Sequence, residues 1–410
     1  MAGFGWYVLV GAIAALVTSA AVPVSRRIAW RVGAVAAPDD RRVHAWPTPT
    51  LGGAAMLAGF LAAVAAASLL GAFEPVFATA EEVLGVVAAA VIIYAIGMID
   101  DLREVSAPAK VAGLVLAGSV LSLSGVSILY LRIPFVGLFV LSPDLAALVT
   151  VLWVVCMANA INLIDGLDGL AAGVVGIAAV AFWLYGMRLG EEGILRPDNL
   201  SPLIAAIIAG VCIGFLPHNF HPATTFMGDG GALLLGVLMA SSTIAVGGRH
   251  NDPFSGQAYF FWAPLIIPLL ILGVPIFDTV FAVIRRAKGR TGLTGADKGH
   301  LHHRLMALGH GQRRSVLILW SWTAILSAMV LYPSFTGKGD AVVPLGLVAM
   351  GLALYTWFHP GVVQQRRANK EAAANGTAAP TVGPGDAPDE GQHAADDDDL
   401  EPGRTVPDRD

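Results

Sequence analysis

Charged side chains are scarce in this sequence: Asp, Glu, Lys and Arg make up 13% of its 410 residues, against about a quarter in an average soluble domain. With 56% hydrophobic residues, that scarcity excludes an ordinary water-soluble fold, which could not hide so much apolar surface. Cysteine is nearly absent. Cys156 and Cys212 each sit within an apolar run, where a thiol packs as a small hydrophobe, so neither a disulfide framework nor thiol chemistry is expected. No basic residue precedes the first apolar stretch, whereas Arg26, Arg27 and Arg31 follow it, the pattern of a retained first span rather than a cleaved signal peptide. No solenoid or transporter-type repeat is visible.

What the chain has in quantity is apolar runs of roughly 17 to 22 residues, long enough to cross about 30 Å of hydrocarbon. Spans are expected near residues 4–23, 52–71, 83–99, 108–125, 145–163, 170–187, 201–217, 230–247, 259–281, 315–332 and 342–359. The expected fold is therefore an all-α polytopic membrane protein of about eleven transmembrane helices. Positive loops stay on the cytoplasmic side, and an N-outside, C-inside arrangement places 20 of the 25 Lys and Arg residues inside. Residues 1–360 then form the transmembrane catalytic domain. The remainder, 361–410, poor in large apolar residues and rich in Ala, Gly, Pro and acids, reads as a disordered acidic cytoplasmic tail. The stretch around Leu131 to Leu141 suits a short hairpin or a surface-lying segment, and Gly273 and Pro275 interrupt the ninth span.

With that orientation, Asp100, Asp101, Asp165, Asp168, Asp229, His300, His302 and His303 all fall at cytoplasmic ends. Five carboxylates converging at membrane depth demand a compensating cation, and Mg²⁺ is the natural one, with Mn²⁺ as a substitute. Asp100 and Asp101 end the third span, with Arg103 just after and Lys110 opening the next. The pair reads either as a general base beside a metal-holding neighbour or as a solvated helix end steadied by Arg103. Asn159 to Gly169 carries Asn162, Asp165 and Asp168 at three-residue steps: on one face if helical, or in a nucleotide-approaching turn given its glycines, or in an ordinary Asn/Asp/Gly turn. Asp229, in Phe226-Met227-Gly228-Asp229, is either a metal ligand or a simple N-cap at a helix start. His300-Leu301-His302-His303 lies in a loop with Arg285, Arg286, Lys288, Arg290, Lys298 and Arg304. No cysteine is near and HExxH spacing is lacking, so diphosphate binding is favoured there over zinc or a merely positive loop.

Taken together, these motifs resemble the polyprenyl-phosphate N-acetylhexosamine-1-phosphate transferase family. The likeness runs from about residue 38 to 314 and includes Pro38-Asp39 to His44, Pro47-Thr48-Pro49, Gly52-Gly53 and the motifs above, in order. The resemblance implies catalytic Asp100 and Asp101, metal ligands Asp229 and Asp101, and nucleotide- or substrate-binding Asn159, Asn162, Asp165, Asp168, Lys110, Asn219, Thr48, His300, His302, His303 and Arg304. Leu301 breaks the run of three histidines typical of the MraY branch, so the chain looks like the WecA and TagO branch and UDP-GlcNAc is favoured over UDP-MurNAc-pentapeptide. Gly230 stands where the family pattern usually has Ser or Thr. The implied partners are a UDP-sugar, undecaprenyl or decaprenyl phosphate and the plasma membrane, with no nucleic acid; a homodimer is compatible with the likeness. Another UDP-N-acetylhexosamine is the runner-up donor. An ion-coupled transporter is the rival class, but it would want acids at the bilayer middle.

Overall fold

The computed structural model describes residues 1–36, 47–78, 80–103, 105–133, 137–247, 273, 276, 280, 305–306, 310–336 and 340–358. The described chain is mostly helical: α1 (Phe4–Val32), α2 (Gly52–Ser68), α3 (Glu74–Ala78), α4 (Ala80–Leu102), α5 (Ala107–Leu123), α6 (Pro143–Ile164), α7 (Leu170–Glu191), α8 (Ser201–Asn219), α9 (Gly228–Gly247), α10 (Gln312–Thr336) and α11 (Val342–Phe358). Two antiparallel ribbons join them, β1 (Val35–Ala36) with β2 (Thr48–Pro49) and β3 (Tyr130–Ile133) with β4 (Gly137–Val140). The second ribbon settles the stretch around Leu131 as a hairpin.

Seven described helices are long and apolar enough to cross a membrane, and an eighth span arises if α2 and the turn-plus-helix after it, bent by 90°, count together. The protein is therefore polytopic. Ten of the eleven expected spans coincide with a described helix; the one expected at 259–281 lies, but for residues 273, 276 and 280, outside the described residues, as does the tail at 361–410. Helices α2, α5 and α11 have 17 residues each. At 1.5 Å per residue that is about 26 Å, a little short of a full hydrocarbon crossing. Conversely α1 runs past the expected residue 23 to Val32, so Arg26, Arg27 and Arg31 are helical rather than in a loop. It stops at Gly33, whose left-handed backbone (φ 75°) lets its N–H and that of Ala34 turn back to the Ala29 carbonyl.

Helix α9 forms the centre. Its side chains from Ala232 to Val246 are almost all enclosed, and α2, α4, α6 and α8 pack around it. Lipid tails are as apolar as leucine, so helix association here relies on close backbone approach through small residues. Gly210 and Gly214 of α8 lie directly against the Gly11 and Ala15 carbonyls of α1, and Gly236 of α9 against Ala158 of α6. On the outside, large apolar side chains such as Leu16, Leu84, Leu123 and Ile213 are exposed, as a lipid-facing surface requires.

Candidate active site

The site begins with a glycine contact. A Cβ on Gly97 of α4 would lie 2.5 Å from the Gly230 Cα of α9, so the two backbones touch there. One turn further along α4, this contact delivers Asp101 to the start of α9, where Oδ1 accepts the Asp229 N–H (2.8 Å) and Oδ2 the Gly230 N–H (3.1 Å). Asp101 thus caps α9 from a neighbouring helix, satisfying two donors that no intrahelical carbonyl can reach. Gly228 makes room for it: its φ is 67°, and a Cβ there would lie 2.4 Å from Asp101 Oδ2 and 2.4 Å from the Thr50 carbonyl.

Lys110 arrives from the first turn of α5, which opens with Pro108. Its Nζ ion-pairs with Asp100 and donates to Asp229 Oδ2 at 2.5 Å, lying between the two carboxylates. Asp100 Oδ1 also accepts the Val105 N–H (2.6 Å), which fixes the turn between α4 and α5. Asp165 follows the end of α6 and is partly buried. Burial, reinforced by the nearby carboxylates of Asp229, Asp101 and Asp168, pushes its carboxyl up to about 8. Among the described residues, Asp100, Asp101, Asp165 and Asp229 therefore share one neighbourhood with one ammonium, that of Lys110.

That imbalance attracts further cations. Among the described residues no three ligand-type side chains converge on one point, and both Asp101 oxygens already accept backbone donors. A site with one or two available carboxylates nonetheless fits Mg²⁺, which commonly takes few protein ligands and fills its shell with water and substrate phosphate. Asp229, also bonded to Lys110, is the best-placed carboxylate.

Around this centre, two side chains stitch the α6–α7 turn to the α8–α9 loop. Asn219 accepts the Gly169 N–H (3.1 Å) and donates to the Thr225 carbonyl (3.0 Å); it is buried. Asp168 Oδ2 pairs with His221 Nδ1 (2.7 Å) and accepts the Ala223 N–H (3.1 Å). Because α6 ends at Ile164, Asn162 lies on the helix while Asp165 and Asp168 lie in the turn after it, so the three do not share one helical face. Asn159 Nδ2 donates one turn back, to the Val155 carbonyl. Thr48 is buried in β2 opposite Ala36, and the adjoining Pro49 carbonyl accepts the Phe226 N–H (2.8 Å), which anchors the approach to Asp229. His221 is a residue that sequence reading missed; its only signal was its place two residues after Asn219, before Pro222. His300, His302, His303 and Arg304 lie outside the described residues.

Residues 83–247, which hold this centre, match the model of a family described as glycosyl transferase family 4. The chain is 39% identical over 360 residues to a decaprenyl-phosphate N-acetylglucosaminephosphotransferase of Mycolicibacterium smegmatis, covering 86% of this chain and 88% of the relative. It is 36% identical over 315 residues to a probable undecaprenyl-phosphate N-acetylglucosaminyl 1-phosphate transferase of Bacillus subtilis, covering 75% and 80%. A phospho-N-acetylmuramoyl-pentapeptide-transferase of Desulforudis audaxviator is 32% identical over 313 residues, covering 71% and 86%.

Proposed function

Because the chain belongs to glycosyl transferase family 4, we propose that it transfers GlcNAc-1-phosphate from UDP-GlcNAc to decaprenyl or undecaprenyl phosphate and releases UMP, an early membrane step of cell-envelope glycan synthesis. The observation that carries this reading is the cluster of Asp100, Asp101, Asp165 and Asp229 around Lys110, an arrangement that suits a divalent cation and, through that cation and the Lys110 ammonium, phosphate. Eleven spans, with the N-terminus outside, put the cluster at the cytoplasmic face of the plasma membrane, where a cytosolic nucleotide and a bilayer-borne phosphate meet without either crossing.

Mg²⁺ bound through Asp229, with lone pairs of Asp101 not used on α9, would supply charge neutralisation of the diphosphate. The other roles belong to the chain. Asp100, held by Lys110 and the Val105 N–H, or Asp101, whose oxygens cap α9, accepts a proton from the lipid phosphate. A lipid phosphate oxygen then forms a bond to the sugar-linked phosphorus as the bond to UMP breaks. Lys110 sets the spacing of Asp100 and Asp229 and offers its ammonium to phosphate oxygens. Asn159, Asn162 and Asp165 meet the nucleotide, Asp168 and Asn219 hold the loops that frame it, and Thr48 anchors the approach strand. His300, His302, His303 and Arg304 bind diphosphate oxygens.

The test is UMP release by the purified chain in detergent, given UDP-GlcNAc, polyprenyl phosphate and Mg²⁺. Release that stops with EDTA and in Asp229→Asn supports the proposal; a folded protein that releases nothing from any UDP-N-acetylhexosamine sinks it.

A further inference from the structure

Away from the aspartate cluster, α1 and α8 carry polar side chains on a seam otherwise made of small and apolar residues. Ser19 Oγ and His218 Nε2 are 3.1 Å apart, and the charge of Arg26 is felt at His218. Ser19 and Arg26 are seven residues apart, so they share a face of α1, and a helical side chain leans toward the N-terminal turn, bringing the guanidinium back toward His218. The Nε of Arg26 is enclosed yet has no hydrogen-bond partner among the described residues. An enclosed, unpaired donor is costly, so the group is waiting for an acceptor.

The position in the bilayer narrows what that acceptor is. Arg26 lies 22 residues along α1 from Phe4, about 33 Å at 1.5 Å per residue, which sets it at the far hydrocarbon edge. Val24 and Ile28 on α1 and Ile213 on α8 are exposed apolar side chains of the two helices. A planar fork of donors beside an imidazole, at the headgroup level and among acyl-facing residues, matches a phosphate attached to a lipid. We propose that Arg26 and His218 form a binding site for the phosphate of an anionic membrane lipid on the α1–α8 seam, separate from the aspartate cluster. The His218 carbonyl meanwhile accepts the N–H groups of Thr224 (2.9 Å) and Thr225 (3.3 Å), so a lipid held there steadies the loop that leads to Asp229.

Native mass spectrometry of the detergent-purified full chain, titrated with phosphatidylglycerol or phosphatidylcholine, tests this without reference to transferase activity. One tightly retained phosphatidylglycerol is expected, with retention reduced about tenfold in Arg26→Gln, since a charge-assisted pair is lost. Arg26→Lys, which keeps the charge without the fork and serves as the milder variant if Arg26→Gln unfolds, is expected to retain an intermediate amount. Arg27→Gln, on the exposed side of α1, is expected to match the wild type. Equal losses in Arg26→Gln and Arg27→Gln, equal retention of the two lipids, or displacement of the lipid by millimolar inorganic phosphate would each overturn the proposal.

Discussion

At the scale of single residues, the carboxylates of the cluster have different tasks, and substitutions separate them. Asp229→Asn is expected to lower turnover by about 10²- to 10³-fold, the size of a lost electrostatic contact to reacting phosphate, with helical circular dichroism retained. Asp101→Ala, by contrast, leaves two N–H groups of α9 without their acceptor, and a thermal melt is expected to show a loss of about 1–2 kcal/mol as well as of activity. Asp165 gives the pH signature. Its carboxyl is pushed up to about 8 by burial and neighbouring carboxylates, against about 3.9 in an unfolded chain. Between those values the folded state holds a proton that the unfolded state has lost, so stability falls as pH rises from about 4 to about 8. Melting of the metal-free protein across that range is expected to show this decline, and Asp165→Asn to lessen it. A melting temperature independent of pH in the wild type would remove Asp165 from the cluster. Most of these acids were legible in the sequence, because charge is rare in it and each one stood at the end of an apolar run. The capping role of Asp101 was not, since its partners are 128 and 129 residues away.

At the scale of elements, the site depends on how closely α4 and α9 approach. A methyl on Gly97 would meet the Gly230 backbone at 2.5 Å, and no flexible side chain is there to move aside. Gly97→Ala is therefore expected to cost about 1–3 kcal/mol through overpacking and to abolish most UMP release with helical circular dichroism retained. A Cβ on Gly230 meets its neighbours less tightly, at 3.2 Å from the Met98 nitrogen and the Tyr94 ring. Gly230→Ser, the residue type the family pattern favours, is accordingly expected to retain activity, which a direct assay against Gly97→Ala would decide. The spans themselves were readable from apolar run length. Their true ends were less so: α1 outlasts its apolar run, continuing through Pro23 to Gly33, and α6 stops at Ile164 where Asp165 and Gly166 begin a turn.

At the scale of the whole molecule, four helices around an enclosed α9 bring the acids of α4 and α9, and that of the turn after α6, to one end of the bundle. Such a concentration of negative charge needs a cation, so removal of divalent ions by EDTA is expected to abolish transfer and also to lower the melting temperature, and added Mg²⁺ to restore both. The restoring effect should be larger at pH 8 than at pH 6, because deprotonated carboxylates bind metal without first releasing a proton.

The sequence by itself determined that this chain lives in a membrane, roughly where its helices fall, and which side chains are candidates for chemistry. Those properties depend on local composition: apolar length, scarce charge, and motifs read along the chain. Only the tertiary structure decided that Lys110 lies between Asp100 and Asp229, that Asp168 and Asn219 are tied to the α8–α9 loop, that His221 pairs with Asp168, and that the enclosed Nε of Arg26 meets no acceptor among the described residues. Each of these depends on where two distant helices touch, and in lipid that is set by small-residue contacts such as Gly97 with Gly230, whose partners no local pattern names.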